Sequence, residues 1–496
     1  MTSADVEQIA SNAAAAAPTW SRIPLNDRAR LLVNTANQLE SARAELVALA
    51  SEETGLGEER LNNELTRTVV QARLFGDVAA RGEFLDVRID EHDDQFVLGP
   101  RPDLRRYLVP IGPVLNFAAS NFPFAFSVFG GDSVSALAAG CPVIVKLHSG
   151  HPRLGARTTQ LVQEAVRDEG HPDGVFQSIS GQAAGVELLQ DPRIRAGSFT
   201  GSTRIGTYLA RIAAERPTPI PFYGELGSVN PVFVFPGALG DDEALAQGLA
   251  ASVSSSAGQL CTKPGFVFVP AGTGWASTVA EALSPTPAHR LLTPSISTSF
   301  EESVDSALRA GVTGVLRGSV RTEDGLAWVT PSLLQTDTAH LLAHPDLADE
   351  LFGPATILVE YEHIDQALTA ATQLFPGNLT CTIHAADNDD QVDVERVLAW
   401  GIEHAGRVLY GGWPTGVGVT GAQQHGGPWP ATTDAQSTAV GTASIQRFLR
   451  PVALQNVPER LRPTVLADAN HWKVPQSRNA EGPSQAWGDS VRAVEP

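Results

Sequence analysis

The chain has 496 residues, 43% of them hydrophobic, and a formal net charge of -20. It is long enough for two or three domains with substantial cores, and its negative charge excludes nucleic acid and anionic membrane surfaces as partners, because both demand positive potential. Its three cysteines, Cys141, Cys261 and Cys381, make no disulfide framework, which points to a reducing, cytoplasmic setting.

The first residues show no basic segment followed by an apolar core, and no uninterrupted apolar run of about 18 residues occurs, so the sequence predicts a protein neither exported nor membrane-spanning. Leu32, Ala36, Leu39, Ala42, Leu46 and Leu49 recur at three- and four-residue steps, predicting an amphipathic helix over 27–53. Helical character resumes over 61–75, past the break at Gly55-Leu56-Gly57. The period then changes, and Val87, Ile89, Phe96, Leu98, Tyr107 and Val109 predict extended strands between 87 and 110. Residues 112–181 alternate strands (114–117, 142–146, 175–179) with helices (127–139, 154–167), which argues for a parallel sheet covered by helices. Lys146 closes one of those strands at its carboxyl end, where open α/β sheets bind ligands. The stretch from Ser198 to Gly206, with Ser202 and Arg204 in its turn, reads as strand, tight turn and helix start, and the amides of a helix start attract a pyrophosphate.

Chemistry concentrates in three segments. Asn121 stands beside Phe122-Pro123, an amide next to a proline that interrupts regular structure. Glu225, flanked by Gly224 and Gly227, approaches an apolar strand over 232–235. Cys261 lies among the small and turn-forming residues Gly258-Gln259-Leu260 and Thr262-Lys263-Pro264-Gly265. Thiolate, amide donor and carboxylate are what oxidation of an aldehyde through a thioester requires: attack, oxyanion stabilisation, hydride departure to a nicotinamide, and hydrolysis by base-activated water. Helix N-terminal amides near Cys261 are expected to favour its thiolate, whereas Cys141 and Cys381 read as small core residues. A helix over 242–253 and strands over 266–269, 355–359 and 378–384 continue the α/β pattern. The Gly/Pro-rich aromatic stretches 413–417 and 425–434 shape a substrate mouth, with His425 as a candidate proton carrier. Residues 476–496 read as a poorly ordered or partner-covering tail. No cluster of Cys or His at zinc spacing occurs, and no metal is expected.

Asn121-Phe122-Pro123, Val143-Ile144-Val145-Lys146, Phe199-Thr200-Gly201-Ser202, Glu225-Leu226-Gly227, Gly258-Gln259-Leu260-Cys261 and Glu350-Leu351-Phe352-Gly353-Pro354 stand in the order found in the aldehyde dehydrogenase superfamily. The chain resembles that superfamily from about residue 13 to about residue 463. The stretches around Trp413 and His425, with Gly441-Thr442, Arg447-Phe448-Leu449-Arg450 and Ser228-Val229-Asn230-Pro231, are similar to one branch, the 2-oxoglutarate semialdehyde (2,5-dioxopentanoate) dehydrogenases and their NADP-dependent, fatty-aldehyde-oxidising relatives.

The resemblance implies an α/β chain with the aldehyde dehydrogenase fold: a Rossmann-like cofactor domain, an α/β catalytic domain and a small β oligomerisation ribbon. The implied boundaries are N-terminal helices at 1–86, ribbon at 87–110 and 437–463, NAD(P)-binding domain at 111–225, catalytic domain at 226–436 with a return to the cofactor domain near its end, and tail at 464–496. It implies Cys261 as nucleophile, Asn121 with the Cys261 N–H as oxyanion donors, and Glu225 as base. Lys146, Ser149, Ser202 and Arg204 would hold the adenosine end of the cofactor, Glu350 the nicotinamide ribose, and Phe352 would lie near the ring. Ser149 occupies the position where NAD-preferring relatives carry a glutamate, and Arg204 is near, so NADP is expected to be accepted as well as NAD. A homodimer or homotetramer acting on a small-molecule aldehyde is expected, with 2-oxoglutarate semialdehyde first and medium- or long-chain aliphatic aldehydes as the alternative. Transfer to coenzyme A is opposed by Glu225, which would divert the acyl group to water. A non-catalytic scaffold is opposed by the presence of all three reactive groups.

Overall fold

The computed structural model describes residues 2–323, 325–414 and 416–492, without the side chain of Arg492. Thr415 of the aromatic loop and residues 493–496 of the tail lie outside the described residues. The chain opens on the helix Ser3–Trp20, capped by a reciprocal Thr2–Asp5 box and burying Val6, Ala10, Ala13, Ala16 and Trp20 at helical spacing. The single helix expected over 27–53 is two, Leu25–Ser41 and Arg43–Thr54. A bend at Ala42 (φ -91°, ψ 8°) re-aims the second so that Leu46, Val47 and Ala50 are buried. The helix Glu58–Arg81 comes next and packs along Leu25–Ser41.

Two parallel sheets set the positions of the reactive loops. The first has five strands in the order Phe176–Ile179, Val143–Lys146, Val114–Phe117, Ala196–Thr200, Phe222–Glu225, all parallel. Both faces are covered, as the continuous apolar runs require. Val114, Val143 and Val145 pack among the N-terminal helices, while Leu115, Phe117 and Ile144 meet Val6, Leu188 and Leu209 on the other side. Strand order reverses beside Val114–Phe117, the point where open α/β sheets form a ligand crevice beyond their carboxyl ends.

The second sheet has seven strands in the order Thr313–Leu316, Ser332–Asp337, Ala355–Tyr361, Phe266–Pro270, Val232–Val234, Asn378–His384, Ala405–Tyr410. It is parallel except at Thr313–Leu316. Alternating residues again split between two apolar layers: Phe233, Phe266, Phe268 and Ile357 face one, and Val232, Val234, Val267 and Leu358 the other.

A four-stranded sheet holds Leu449–Gln455 at one edge, then Leu104–Pro110, Val87–Asp90 and Gln476–Arg478. The last strand corrects the poorly ordered alternative expected for the tail at Gln476–Arg478, since it pairs in parallel with Val87–Asp90, register Val87↔Gln476 to Ile89↔Arg478. Arg105, buried, fastens the approach by donating to Leu466 O and Asp468 Oδ1, both at 2.7 Å. Polar composition did not predict this because backbone pairing needs no apolar side chains. Among the described residues no helix is long and apolar enough to cross a membrane.

Candidate active site

The first sheet offers its carboxyl ends and the second its amino ends to the same region. Phe222–Glu225 ends the first sheet at Glu225, and residues 226–231 lead directly into Val232–Val234 of the second. The cysteine turn precedes Phe266–Pro270, and the loop holding Glu350 and Phe352 precedes Ala355–Tyr361, so adjacent strands bring the three loops side by side. Glycine at 258 has φ +65°, and a Cβ there would lie 2.2 Å from Gly353 O; only glycine permits the cysteine turn to close against the Glu350 loop. Ser256 and Ala257 also have positive φ, 50° and 55°, which concentrates backbone strain just before the thiol.

Asn230 fixes the turn. Buried and itself at φ 49°, it donates through Nδ2 to Cys261 O at 2.8 Å and Lys263 O at 3.0 Å. Its Oδ1 accepts from Thr380 N at 3.2 Å and Ser228 Oγ at 2.8 Å. The sequence alone assigned Asn230 no role. An asparagine followed by Pro231 at a strand entry was the available signal, since Asn tolerates the left-handed conformation.

The structure brings together Cys261, Glu225, His425 and Asn121. His425 Nε2 lies 3.6 Å from Cys261 Sγ and 3.0 Å from Glu225 Oε1, and the ligand-capable atoms of the three residues all lie within 4.8 Å of one another. Glu225 and His425 are buried, and apart from the mutual contact of Oε1 and Nε2 and the nearby thiol, neither the Glu225 carboxylate nor His425 Nδ1 has a partner among the described residues. Burial, then the charge of Glu225, raises the Cys261 thiol well above its ordinary value, with Arg407 opposing. The helix N-terminus expected to favour the thiolate is not there: residues 261 and 262 form a turn, and 266–270 run on as strand. The thiol therefore depends on a neighbouring base. Asn121 Nδ2 donates one N–H to Gln259 O at 3.0 Å, two residues from the cysteine, which leaves its second N–H to serve a ligand. A cavity of about 20 Å³ touches Glu225, His425, Gly426 and Thr432, room for one water.

One helix face supports the Asn121 loop, and sequence reasoning missed it. Arg60, Glu64 and Arg67, at steps of four and three, project from Glu58–Arg81. Glu64 Oε1 accepts from Phe124 N at 2.8 Å and Ala125 N at 2.9 Å, Glu64 Oε2 pairs with Arg60 at 3.2 Å, and Arg60 Nη2 donates to Asn121 O at 2.7 Å. Charges at helical spacing on an otherwise apolar face were the legible signal.

The residues assigned to a cofactor lie around the crevice. Lys146, half-buried at its strand end, has its ammonium pKa lowered by desolvation alone. Ser149, Ser202 and Arg204 are exposed, and Ser202 begins Thr203–Glu215 without a side-chain cap bond. Burial, with lesser effects of His151 and Lys146, pushes His148 down to about 3, so it is neutral at physiological pH and adds no charge there. Glu350 and Phe352 are half-buried. Burial pushes the Glu350 carboxyl up to about 7 against the opposing charge of Lys263, and Glu350 Oε2 comes within 2.6 Å of where a Cβ on Gly227 would stand, so glycine there opens the way for it.

A sequence model of the aldehyde dehydrogenase family matches residues 1–429. An alpha-ketoglutaric semialdehyde dehydrogenase of Acinetobacter baylyi is 39% identical over 472 residues, covering 94% of this chain and 89% of that protein. Alpha-ketoglutaric semialdehyde dehydrogenase 2 of Azospirillum brasilense is 39% identical over 485 residues, covering 96% and 92%. Among solved structures, the fold is shared with an NADP-dependent glyceraldehyde-3-phosphate dehydrogenase from Bacillus halodurans complexed with NADP, at TM-score 0.77, 22% identity and 92% coverage of both chains.

Proposed function

The chain belongs to the aldehyde dehydrogenase family, NAD(P)-dependent oxidoreductases that act on aldehydes, and from that premise we propose that it converts 2-oxoglutarate semialdehyde (2,5-dioxopentanoate) to 2-oxoglutarate through a thioester on Cys261. The observation that carries the chemical reading is the triangle of Cys261 Sγ, His425 Nε2 and Glu225 Oε1 at 3.6 and 3.0 Å. Identity of 39% along nearly the whole length of two alpha-ketoglutaric semialdehyde dehydrogenases supports the choice of substrate.

The cofactor fits the residues present: a partly desolvated Lys146 ammonium and an uncapped helix start at Ser202 suit phosphate and ribose oxygens, and Glu350 would bond a ribose hydroxyl. Ser149 and Arg204 favour the 2′-phosphate of NADP, since hydroxyl and guanidinium donate to its oxygens and no carboxylate at 149 repels them. When bound, the nicotinamide supplies the hydride acceptor.

The protein's own groups do the rest. His425 Nε2 takes the thiol proton, the Glu225 carboxylate 3.0 Å from that same nitrogen stabilises the imidazolium so formed, and Sγ attacks the carbonyl carbon. The free Asn121 N–H and the Cys261 backbone N–H hold the oxyanion. Once the thioester has formed, Glu225 draws a proton from a water in the adjoining cavity, and that water cleaves the acyl group. Self-association through the four-stranded sheet, as dimer or tetramer, is supported by its edge strand Leu449–Gln455 and by exposed Val97, Leu98 and Leu461. Three free thiols suit a reducing cytoplasm.

A kinetic panel of 2,5-dioxopentanoate, succinic semialdehyde, hexanal and benzaldehyde, each with NADP and NAD, tests the assignment. The expected result is a kcat/KM for 2,5-dioxopentanoate at least about 10-fold above hexanal. Hexanal or benzaldehyde ahead of both semialdehydes overturns it.

A further inference from the structure

Two partly buried arginines, Arg67 and Arg407, interact with the charge of the Cys261 thiol and have buried nitrogens without a hydrogen-bond partner among the described residues. Arg67, on Glu58–Arg81, holds its guanidinium 5.2 Å from the Phe126 ring, and Phe126 packs on His425 at 6.2 Å. Its Nε donates to Val417 O at 3.3 Å, but Nη1 and Nη2, both shut off from solvent, have no hydrogen-bond partner among the described residues. Arg407 enters on Ala405–Tyr410, paired with Asn378–His384, and its Nε and Nη2 are buried in the same condition. Burial lowers the pKa of both guanidinium groups, opposed at Arg67 by the charges of Glu64, Cys261 and Glu225 and at Arg407 by that of Cys261. Neither makes an ion pair among the described residues. Glu64, three residues before Arg67, is already committed to Arg60 and to the Phe124 and Ala125 amides.

A guanidinium built for structure brings its acceptors with it, because buried donors left unpaired are costly. Here Nη1 and Nη2 of Arg67 and Nε and Nη2 of Arg407 meet no such acceptor among the described residues. A carboxylate is the planar anion that matches the guanidinium fork, and the seat is walled by an aromatic ring that tolerates the stem of a short chain. We propose that Arg67 and Arg407 form a carboxylate subsite that binds the acid end of the substrate while its aldehyde faces Cys261, with Arg67 as the main anchor. This rests on the semialdehyde reading and adds to it the residues that select a short aldehyde acid over a neutral aldehyde of equal length.

The test compares kcat/KM for 2,5-dioxopentanoate and pentanal, which have the same number of carbons, in the full chain at saturating NADP. Arg67→Met is expected to lower the ratio of the two by roughly 10- to 100-fold, the scale of lost charge-assisted bonds. Arg407→Met lowers it less, and Arg67→Lys, which keeps charge without the fork, falls between wild type and Arg67→Met. A structural role, or stabilisation of the thiolate, would depress both substrates equally, so an unchanged ratio in Arg67→Met and Arg407→Met overturns the subsite while leaving the substrate reading intact. A wild-type enzyme with no preference for 2,5-dioxopentanoate overturns the substrate reading, and the subsite with it. Product inhibition by 2-oxoglutarate supplies a readout that needs no acylation of the thiol. Its inhibition constant is expected to rise by a similar factor in Arg67→Met, or in Arg67→Lys should the methionine variant not fold, and an unchanged constant counts against the subsite.

Discussion

Replacing Asn230 by alanine separates the scaffold of the cysteine turn from its chemistry. The change removes the donor to Cys261 O and Lys263 O and the acceptor for Thr380 N, three backbone groups of which the first is part-buried and the other two buried. At roughly 1 to 1.5 kcal/mol for each such group left unpaired, the loss is about 3 to 4.5 kcal/mol. Alanine also tolerates φ 49° less well than asparagine, which adds about 1 kcal/mol. Asn230→Gly relieves the second cost and not the first, so the two variants are expected to differ by about 1 kcal/mol in urea unfolding while both lie well below wild type. Because Cys261 O is one of the released groups, Sγ should shift as well, and a displacement near 1 Å costs on the order of 100-fold in rate. A rapid-mixing burst of NADPH reads that directly. An Asn230→Ala enzyme that unfolds within about 1 kcal/mol of wild type and keeps its burst rate would refute the reasoning.

The acylation rate should climb with pH. Burial and the Glu225 charge raise the Cys261 pKa, so the protonated thiol dominates at neutrality and the thiolate fraction grows as protons are withdrawn; a burst rate flat from about pH 6 to about pH 9 would contradict this. Arg204→Ala should raise the KM for NADP by about 10-fold with a smaller effect on NAD, and equal effects on the two cofactors would remove Arg204 from the 2′-phosphate.

The parallel framework was legible because its strands are short apolar runs that local pattern marks well: the expected strand over 114–117 is the strand observed, and those expected over 142–146 and 175–179 each begin one residue later, at Val143 and Phe176. The grouping of Cys261, Glu225 and Asn121 was expected from the aldehyde dehydrogenase motifs around them, spacing alone being too weak, and it fits their places at or just beyond strand ends, where parallel sheets gather distant segments. The features that escaped the sequence are non-local. The pairing of Gln476–Arg478 with Val87–Asp90 joins segments far apart in the chain. Arg67 and Arg407 lie on different elements, and nothing in spacing reveals that buried nitrogens of both guanidinium groups lack a hydrogen-bond partner among the described residues. The helix N-terminus imagined behind Cys261 failed because Gly-, Pro- and Ser-rich sequence signals a turn without fixing the element that the turn leads into, and here that element is a strand.

The most direct measurement of the central claim is intact-protein and peptide mass spectrometry of Glu225→Gln quenched after mixing with NADP and 2,5-dioxopentanoate. With the base for water removed and the thiol in place, the expected result is one equivalent of NADPH released in a burst and an acyl group on the peptide containing Cys261. Adduct on another residue, or steady turnover at the wild-type rate with Cys261 unmodified, would contradict the account.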